Sequence, residues 1–304
     1  MAAGLTAAPT TALLTAVHSM AAGPIADGPT PDGLTAVELD HVSAGYDARP
    51  ALTDVSLQIP SGTLVAIFGP NGGGKTTLLK VVAGLLRSWS GTVEVLGAPP
   101  GREAHRVAYV PQAELVDWSF PVSVWDVAMM GRYPRLGPFR RPGAADREAV
   151  AAALEQVGMA GRARTQIGAL SGGQRRRAFL ARALAANPDL FLLDEPVTGV
   201  DVTTQEDLVG VLGRLAAQGR TVLATTHDLG AAAHHFERVI AVNRTIIASG
   251  PASLVLDTDV LSRTFGGHLL EVRGRTIIID EAHHHDSEAP GEHHHHDSER
   301  SSRP

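Results

Sequence analysis

The sequence predicts an α/β fold whose sheet is largely parallel. Short apolar strands alternate with helical segments, an order typical of a parallel sheet covered by helices. Strands are predicted over 37–41, 52–59, 64–68, 93–96, 107–110, 190–193, 221–225, 239–242 and 245–248. Helices are predicted over 76–83 and 171–186, and residues 113–168 are predicted to be mainly helical around a loop at 134–143. Because strand 64–68 is apolar at every position, we expect it to be buried on both faces.

The length and the charge distribution limit the possible classes of protein. A chain of 304 residues corresponds to about two folding units. The formal net charge is -6, but residues 37–280 carry 24 acidic and 24 basic side chains and are neutral. A nucleic-acid partner usually requires a basic face, so we expect none here. Residues 1–36 are predicted to be a disordered extension, and 281–304 a disordered acidic tail.

Cysteine and membrane-spanning segments are both missing from the sequence. The chain contains no cysteine, which excludes a disulfide scaffold, thiolate metal sites and thiol catalysis. No apolar run reaches the roughly 18 residues that a membrane helix needs. Any membrane role is therefore expected to be peripheral.

A glycine-rich loop between a predicted buried strand and a predicted helix is the strongest motif. It consists of Gly69, Pro70, Asn71, Gly72, Gly73, Gly74, Lys75, Thr76 and Thr77. This spacing is that of a P-loop, whose backbone N–H groups surround phosphate oxygens at a helix N-terminus. Lys75 is predicted to bind the β- and γ-phosphates of ATP, and the Thr76 hydroxyl to bind Mg²⁺.

Two carboxylates follow the predicted strand over 190–193. A nucleotide site needs a carboxylate that holds Mg²⁺, a role predicted for Asp194. Hydrolysis also needs a group that orients and activates water, a role predicted for Glu195. Beside a P-loop, the pair predicts ATP hydrolysis rather than a solvated acidic turn.

A second phosphate-binding helix start is predicted after Leu170. Ser171 and Gln174 have capping-box spacing, and Gly172 and Gly173 leave the backbone open to an anion. A phosphate-binding segment separate from the P-loop suggests a site that another subunit completes.

Together these motifs resemble the ATP-binding subunit of an ABC transporter over about 37–280. The resemblance implies a P-loop NTPase ABC-ATPase fold, with a mixed, largely parallel sheet, an antiparallel β subdomain and a helical subdomain at about 113–186. It also implies roles for further residues. Tyr46 matches the aromatic that stacks on adenine, Gln112 the glutamine near Mg²⁺, Asp201 the aspartate that contacts the partner's nucleotide, and His227 the histidine at the γ-phosphate. Glu195 takes the place of the general base.

The resemblance further implies partners and a location. The family works as a head-to-tail dimer, in which Ser171–Gln174 of one copy and the P-loop of the other hold each ATP. The implied partners are therefore a second copy, integral membrane permease subunits and, indirectly, an extracytoplasmic metal-binding protein. The implied location is the cytoplasmic face of the membrane.

Segments 116–127, 129–133, 243–245 and 263–267 resemble ATPases of importers for manganese, zinc or chelated iron. Within that group the last two segments favour manganese, with zinc next. Two other classes stay open, namely a soluble ABC-type ATPase that is not coupled to transport and the ATPase of an exporter.

Three further features each allow more than one interpretation. Trp118, Phe120 and Trp125 fit either a helical core or a contact with a permease. Arg132, Arg135, Arg140 and Arg141 fit either a solvated loop or a contact with the permease or anionic headgroups. The tail histidines fit a metal sensor or buffer, a flexible tail with incidental affinity, or a purification tag; they are His283, His284, His285, His293, His294, His295 and His296. Imidazole clusters favour zinc over manganese.

Overall fold

The computed structural model describes residues 34–112, 120–136, 140–197, 202–266, 269–272 and 275–278. Its strands are β1 (Thr35–Tyr46), β2 (Arg49–Pro60), β3 (Leu64–Phe68), β4 (Ser90–Val95), β5 (Val107–Val110), β6 (Leu190–Leu193), β7 (Thr221–Thr225), β8 (Arg238–Asn243), β9 (Thr245–Pro251), β10 (Leu269–Val272) and β11 (Arg275–Ile278). Its α-helices are α1 (Lys75–Val82), α2 (Val124–Met130), α3 (Tyr133–Leu136), α4 (Ala144–Gln156), α5 (Gly172–Ala186), α6 (Val202–Ala217), α7 (Leu229–His235), α8 (Ala252–Val255) and α9 (Thr258–Phe265). In these ranges no helix is long and apolar enough to cross a membrane.

The strands form a mixed central sheet, an antiparallel sheet and a hairpin. The central sheet has the order β5-β6-β7-β3-β8-β9 and is parallel except for β9. The antiparallel sheet has the order β2-β1-β4, and β10 pairs with β11. The predicted α/β class, with a largely parallel core, an antiparallel β unit and helices, is confirmed. The carboxyl ends of β3, β6 and β7 meet at one edge, where loops collect functional residues.

The central sheet separates two apolar cores. Along β3 the side chains alternate: Leu64 and Phe68 face a core shared with α2, α4, α5 and α6, whereas Val65 and Ile67 face a core shared with α1 and the antiparallel sheet. All five residues of β3 are buried, as predicted from the apolar strand. The strand that leads into the P-loop is therefore packed on both faces.

The element boundaries show where the sequence was less informative. The strand predicted over 37–41 extends over Thr35–Tyr46, and the loop predicted over 134–143 begins within α3. Helices α6, α7, α8 and α9 are not predicted from the sequence. In α6 the helical signal is weakened by Gly210 and Gly213, because glycine is a poor helix former.

Two of the four arginines predicted to form a basic loop donate hydrogen bonds to other parts of the chain. Arg132 Nε donates to Asp146 Oδ1 at 2.9 Å, and its Nη1 donates to the carbonyl oxygen of Ala185 at 2.9 Å. Arg135 Nη2 donates to the carbonyl oxygen of Asn187 at 2.8 Å. Both side chains therefore satisfy carbonyl groups at the end of α5, which leaves Arg140 and Arg141 for the interpretation as a surface contact.

Asp189 ties the starts of three neighbouring strands together. It accepts from Arg106 Nε at 2.6 Å and from Arg220, while its main chain bonds to both Arg106 and Thr221. Burial works to raise the pKa of Asp189, but the hydrogen bond and charge of Arg106, then those of Arg220, outweigh it and lower that pKa. A carboxylate with a lowered pKa stabilises the fold above its unfolded pKa, and this contribution is lost as pH falls through the folded value.

We therefore expect Asp189→Asn to lower the free energy of unfolding by about 1 kcal/mol at pH 7, because two partly exposed ion pairs are weakened. The difference from wild type should stay nearly constant from pH 7 to about 4, the ordinary pKa range of aspartate, and narrow as pH is lowered further through the depressed pKa of the folded state. Urea denaturation at several pH values measures both effects. The exposed Glu148→Gln variant removes the same charge as a control. A difference that does not change with pH would contradict this role.

Candidate active site

The loop between β3 and α1 curls around the head of its own lysine. Lys75 is buried, and its Nζ donates to the carbonyl oxygens of Gly69 at 2.8 Å and Pro70 at 3.0 Å. The Gly73 N–H donates to the Pro70 carbonyl at 3.0 Å and closes the loop. The ammonium group therefore lies at the N-terminus of α1, where the helix dipole also favours an anion. The arrangement suits the phosphates of a nucleotide.

Two glycines of this loop occupy positions where a side chain would not fit. A Cβ at Gly69 would lie 1.9 Å from the carbonyl oxygen of Val242. Gly74 has a φ of +98°, and a Cβ there would lie 2.7 Å from the carbonyl oxygen of Ala51. The glycine spacing thus lets the loop pack between β8 and the β2 segment.

A buried threonine on β7 orients both carboxylates that follow β6. The Thr225 hydroxyl donates to Asp194 Oδ1 at 2.9 Å, and its oxygen accepts from the backbone N–H of Glu195 at 2.8 Å. Thr225 has no exposed surface, and Asp194 is only 3% exposed. One side chain therefore holds the two predicted carboxylates at the edge of the sheet nearest the P-loop.

The second oxygen of Asp194 makes the site suitable for a cation. Asp194 Oδ2 is buried and has no hydrogen-bond partner within the described part of the chain. A buried carboxylate oxygen without a partner is costly unless a ligand satisfies it. Burial, followed by the charge of nearby Asp194, raises the pKa of Tyr109, so this phenol stays neutral beside the carboxylate. A carboxylate oxygen such as Oδ2 of Asp194 is a suitable ligand for a hard divalent cation such as Mg²⁺.

Glu195 is held by both of its predicted catalytic partners. Its Oε1 contacts His227 Nε2 at 2.5 Å, and its Oε2 accepts from Gln112 Nε2 at 3.1 Å. The backbone of Glu195 has a φ of +51°, an uncommon conformation for a residue with a side chain. Such strained positions often serve a function, because the surrounding structure must maintain them. The structure therefore brings Gln112, Glu195 and His227 together, and their catalytic roles stay predictions.

The segment at Ser171–Gln174 starts α5 with the predicted capping box. The Gln174 N–H donates to Ser171 Oγ at 3.4 Å, and the Ser171 N–H donates to Gln174 Oε1 at 3.1 Å. Ser171 and Gly172 are exposed, and a Cβ at Gly172 would meet nothing within 4 Å. This helix start is therefore open to a ligand from outside the chain.

Tyr46 lies at the end of β1 with a lysine over its ring. Lys80 Nζ is 5.5 Å from the ring centroid, within the range of a cation–π contact, and the tyrosine remains 44% exposed. The ring is therefore held by α1 and still accessible for stacking.

Two sets of predicted residues lie outside the described residues, namely Asp201 and the seven tail histidines. Their roles stay predictions, as does the interpretation of Trp118. Conversely, Thr225 and Lys80 contact site residues but are not predicted as site residues from the sequence. Thr225 ends a predicted buried strand just before His227, and this position at the carboxyl end of a parallel strand is the signal that identifies it.

Comparison with known proteins agrees with this geometry. Residues 52–198 match the ABC transporter family. The manganese transport system ATP-binding protein MntB of Bacillus subtilis is 43% identical over 247 residues, which cover 81% of this chain and 98% of that protein. The chain belongs to the ABC transporter ATP-binding family. It is an ATPase of that family, with the ABC-ATPase fold.

Two further proteins are similar to this ABC ATPase, one a subunit of a zinc transport system and the other a solved ATP-binding cassette. The zinc transport system ATP-binding protein TroB of Treponema pallidum is 43% identical over 255 residues, which cover 83% of this chain and 96% of that protein. A solved ATP-binding cassette, in a dimeric post-hydrolysis state with ADP and Pi, is 26% identical. The match covers 71% of this chain and 98% of that structure, with a TM-score of 0.63.

Proposed function

We propose that this ABC ATPase powers the import of a transition-metal ion, with manganese favoured and zinc next, through a membrane permease. The observation that carries the proposal is its 43% identity to subunits of manganese and zinc transport systems over almost their whole length. The assembled carboxylates and P-loop support a working hydrolytic site rather than an inactive relative. The same similarity favours an import subunit over the soluble and exporter alternatives.

The contacts suggest how the chain hydrolyses ATP. Lys75 and the P-loop N–H groups would hold the β- and γ-phosphates. Glu195 would accept a proton from the water whose oxygen attacks the γ-phosphorus, and ADP would leave as phosphate forms. His227 would keep the carboxylate and the γ-phosphate aligned, because it already contacts Glu195. In the present arrangement Gln112 and His227 each engage one oxygen of Glu195, and a second lone pair on either oxygen can still accept from water.

Asp194, Thr76 and Gln112 are the residues that would hold Mg²⁺. Asp194 fits this role best, since its buried Oδ2 needs a partner. When bound, Mg²⁺ neutralises charge that develops on the phosphate oxygens. The part of Thr225 is to fix Asp194 through its hydroxyl group, and a hydrogen bond of this kind commonly orients a metal ligand.

Two copies would complete the sites between them. The open start of α5 at Ser171 offers backbone N–H groups and a favourable dipole to an anion. A similar cassette is a dimer in the state that holds ADP and Pi. We therefore propose that Ser171, Gly172, Gly173 and Gln174 contact the nucleotide bound to the second copy, and that Asp201 does the same.

Two exposed aromatic side chains on the surface of the helical unit support a permease partner. Phe120 is 61% exposed and Tyr133 is 53% exposed, whereas Trp125 packs against the core. Phe120 therefore remains a candidate for contact with the permease, whereas Trp125 belongs to the core. We propose that this surface docks on permease subunits at the cytoplasmic face of the membrane, with an extracytoplasmic metal-binding protein on the other side.

The manganese prediction rests on the sequences of segments 243–245 and 263–267, and these two segments are in contact. Asn243 Nδ2 donates to the carbonyl oxygen of Thr264 at 2.9 Å, and the ring of Phe265 stacks on Phe68 at 6.1 Å. These contacts fix α9 against β8 and β3 and do not form a metal site. The preference for manganese therefore rests on similarity, while the histidine tail retains the case for zinc.

Recovery of the chain with membranes tests the permease partnership. We expect affinity purification from membranes of the native host to recover integral membrane subunits, and Phe120→Asp to reduce that recovery about tenfold because a charge replaces an apolar contact. Leu254→Asp places the same charge at another exposed apolar residue, on α8, and serves as the control. Recovery of ribosomes or other soluble assemblies instead, with no permease, would contradict the proposal.

A further inference from the structure

A cleft lies beside the P-loop, between the turn that joins β1 to β2 and the turn that joins β8 to β9. Its volume is about 500 Å³, and its lining includes Tyr46, Asp47, Arg49, Gly72 and Arg244. Small-molecule sites have volumes of roughly 300–1,000 Å³, so a base and a ribose fit here. Gly72 belongs to the P-loop, which makes the cleft continuous with the phosphate site.

Arg244 reaches this cleft from a backbone that is tied to the P-loop. Its N–H donates to the carbonyl oxygen of Gly73 at 2.8 Å, and its carbonyl oxygen accepts from the Thr53 N–H at 2.7 Å. Its φ of +60° is a conformation that glycine adopts more readily than arginine. A large cationic side chain is thus kept at a position where backbone geometry alone would favour glycine.

The chemistry of the lining suits the base and ribose of a nucleotide. The Tyr46 ring offers a stacking surface to any base, and Arg49 and Arg244 offer only hydrogen-bond donors. Ribose oxygens and the N7 of either purine are acceptors, and guanine O6 with N7 accepts from arginine as a pair. Asp47 can accept from an amino group of either purine. Neither asparagine nor glutamine, which pair with adenine, lines the cleft among the described residues.

We propose that Arg244, together with Tyr46, binds the base and ribose end of a purine nucleoside triphosphate and does not select adenine over guanine. The proposal rests on the ATPase assignment and adds a residue outside the motifs that identified the family. It makes Arg244 a contact to the nucleoside and not to the phosphates, which the P-loop holds.

Arg244→Gly removes the side chain and preserves the backbone, since glycine accepts a positive φ without strain. Calorimetric titration of the full chain with ATP, GTP and inorganic tripolyphosphate measures the dissociation constants. We expect the variant to bind ATP and GTP about tenfold more weakly and tripolyphosphate within twofold of wild type. In the wild type, GTP should bind within about threefold of ATP. Arg102→Gln, at another exposed arginine, is the charge control and should change none of these values.

The possible results distinguish a failure of the Arg244 inference from a failure of the ATPase assignment on which it rests. Unchanged ATP binding in Arg244→Gly, or an equal loss for tripolyphosphate, would overturn the nucleoside contact while the ATPase assignment stands. If the wild type bound GTP more than tenfold more weakly than ATP, the site would select adenine over guanine, and that part of the proposal would be wrong. A wild-type chain that binds neither ATP nor tripolyphosphate would overturn both the inference and the proposed function.

Discussion

Glu195→Gln is expected to lower kcat for ATP hydrolysis by about 10²- to 10⁴-fold, the usual contribution of a general base. Glutamine has the size of glutamate, and its amide oxygen can still accept from Gln112. It cannot accept a proton from the attacking water. ATP affinity should therefore stay within a few-fold of wild type, because the P-loop is unchanged.

Phosphate release and ATP titration measure the two effects in the Glu195→Gln chain. Because ATP is bound but not cleaved, we also expect the variant to remain a dimer in ATP by sedimentation, whereas the wild type dissociates as ATP is consumed. Glu206→Gln removes an exposed acid on α6 and controls for net charge. A kcat within tenfold of wild type would show that another group activates water.

Thr225→Val is expected to lower kcat/KM by about 10- to 100-fold, the range for removing a side chain that orients a metal ligand. Valine fills the same space but neither donates to Asp194 nor accepts from Glu195. The two carboxylates would then lose their common anchor. Thr225→Ser keeps the hydroxyl and should restore most of the activity.

Thr221→Val is a matched control on the same strand. Thr221 is also buried, but its hydroxyl accepts from the Gly62 N–H at 3.0 Å, at the other end of β7. Thr225→Val loses two hydrogen bonds and Thr221→Val loses the one from Gly62, and we expect each variant to lower the free energy of unfolding by about 1–3 kcal/mol. Only Thr225→Val should lose ATPase activity. Equal activity in the two variants would contradict the positioning role of Thr225.

The residues that sequence reasoning identified are those that share one local segment. The P-loop, the Asp194–Glu195 pair and the capping box at Ser171 each occupy a few consecutive positions next to a periodic strand or helix. Local spacing therefore sets their geometry, and the structure places them as expected. The buried strand β3 belongs to the same group, because its short apolar run is followed directly by Gly69 and Pro70, which favours a strand over a helix.

The residues that sequence reasoning missed act across distant segments. Thr225 lies 30 positions after Glu195, and Arg244 contacts Gly73 from the β8–β9 turn. Their neighbours are set by strand order, which no local pattern encodes. Arg132 and Arg135 donate hydrogen bonds to carbonyl oxygens at the end of α5, and these bonds were not predicted for the same reason. A run of arginines describes charge but not the partner that each side chain meets.

Metal accumulation in living cells tests most directly whether ATP hydrolysis by this chain drives metal import. Cells that carry wild-type, Glu195→Gln or Glu206→Gln protein receive a pulse of manganese, zinc or iron, and their metal content is measured. We predict a selective loss of manganese uptake in Glu195→Gln alone, with zinc and iron unchanged. A selective loss of zinc uptake would contradict the choice of manganese. Unchanged uptake of all three metals, with ATPase activity confirmed lost, would contradict import itself.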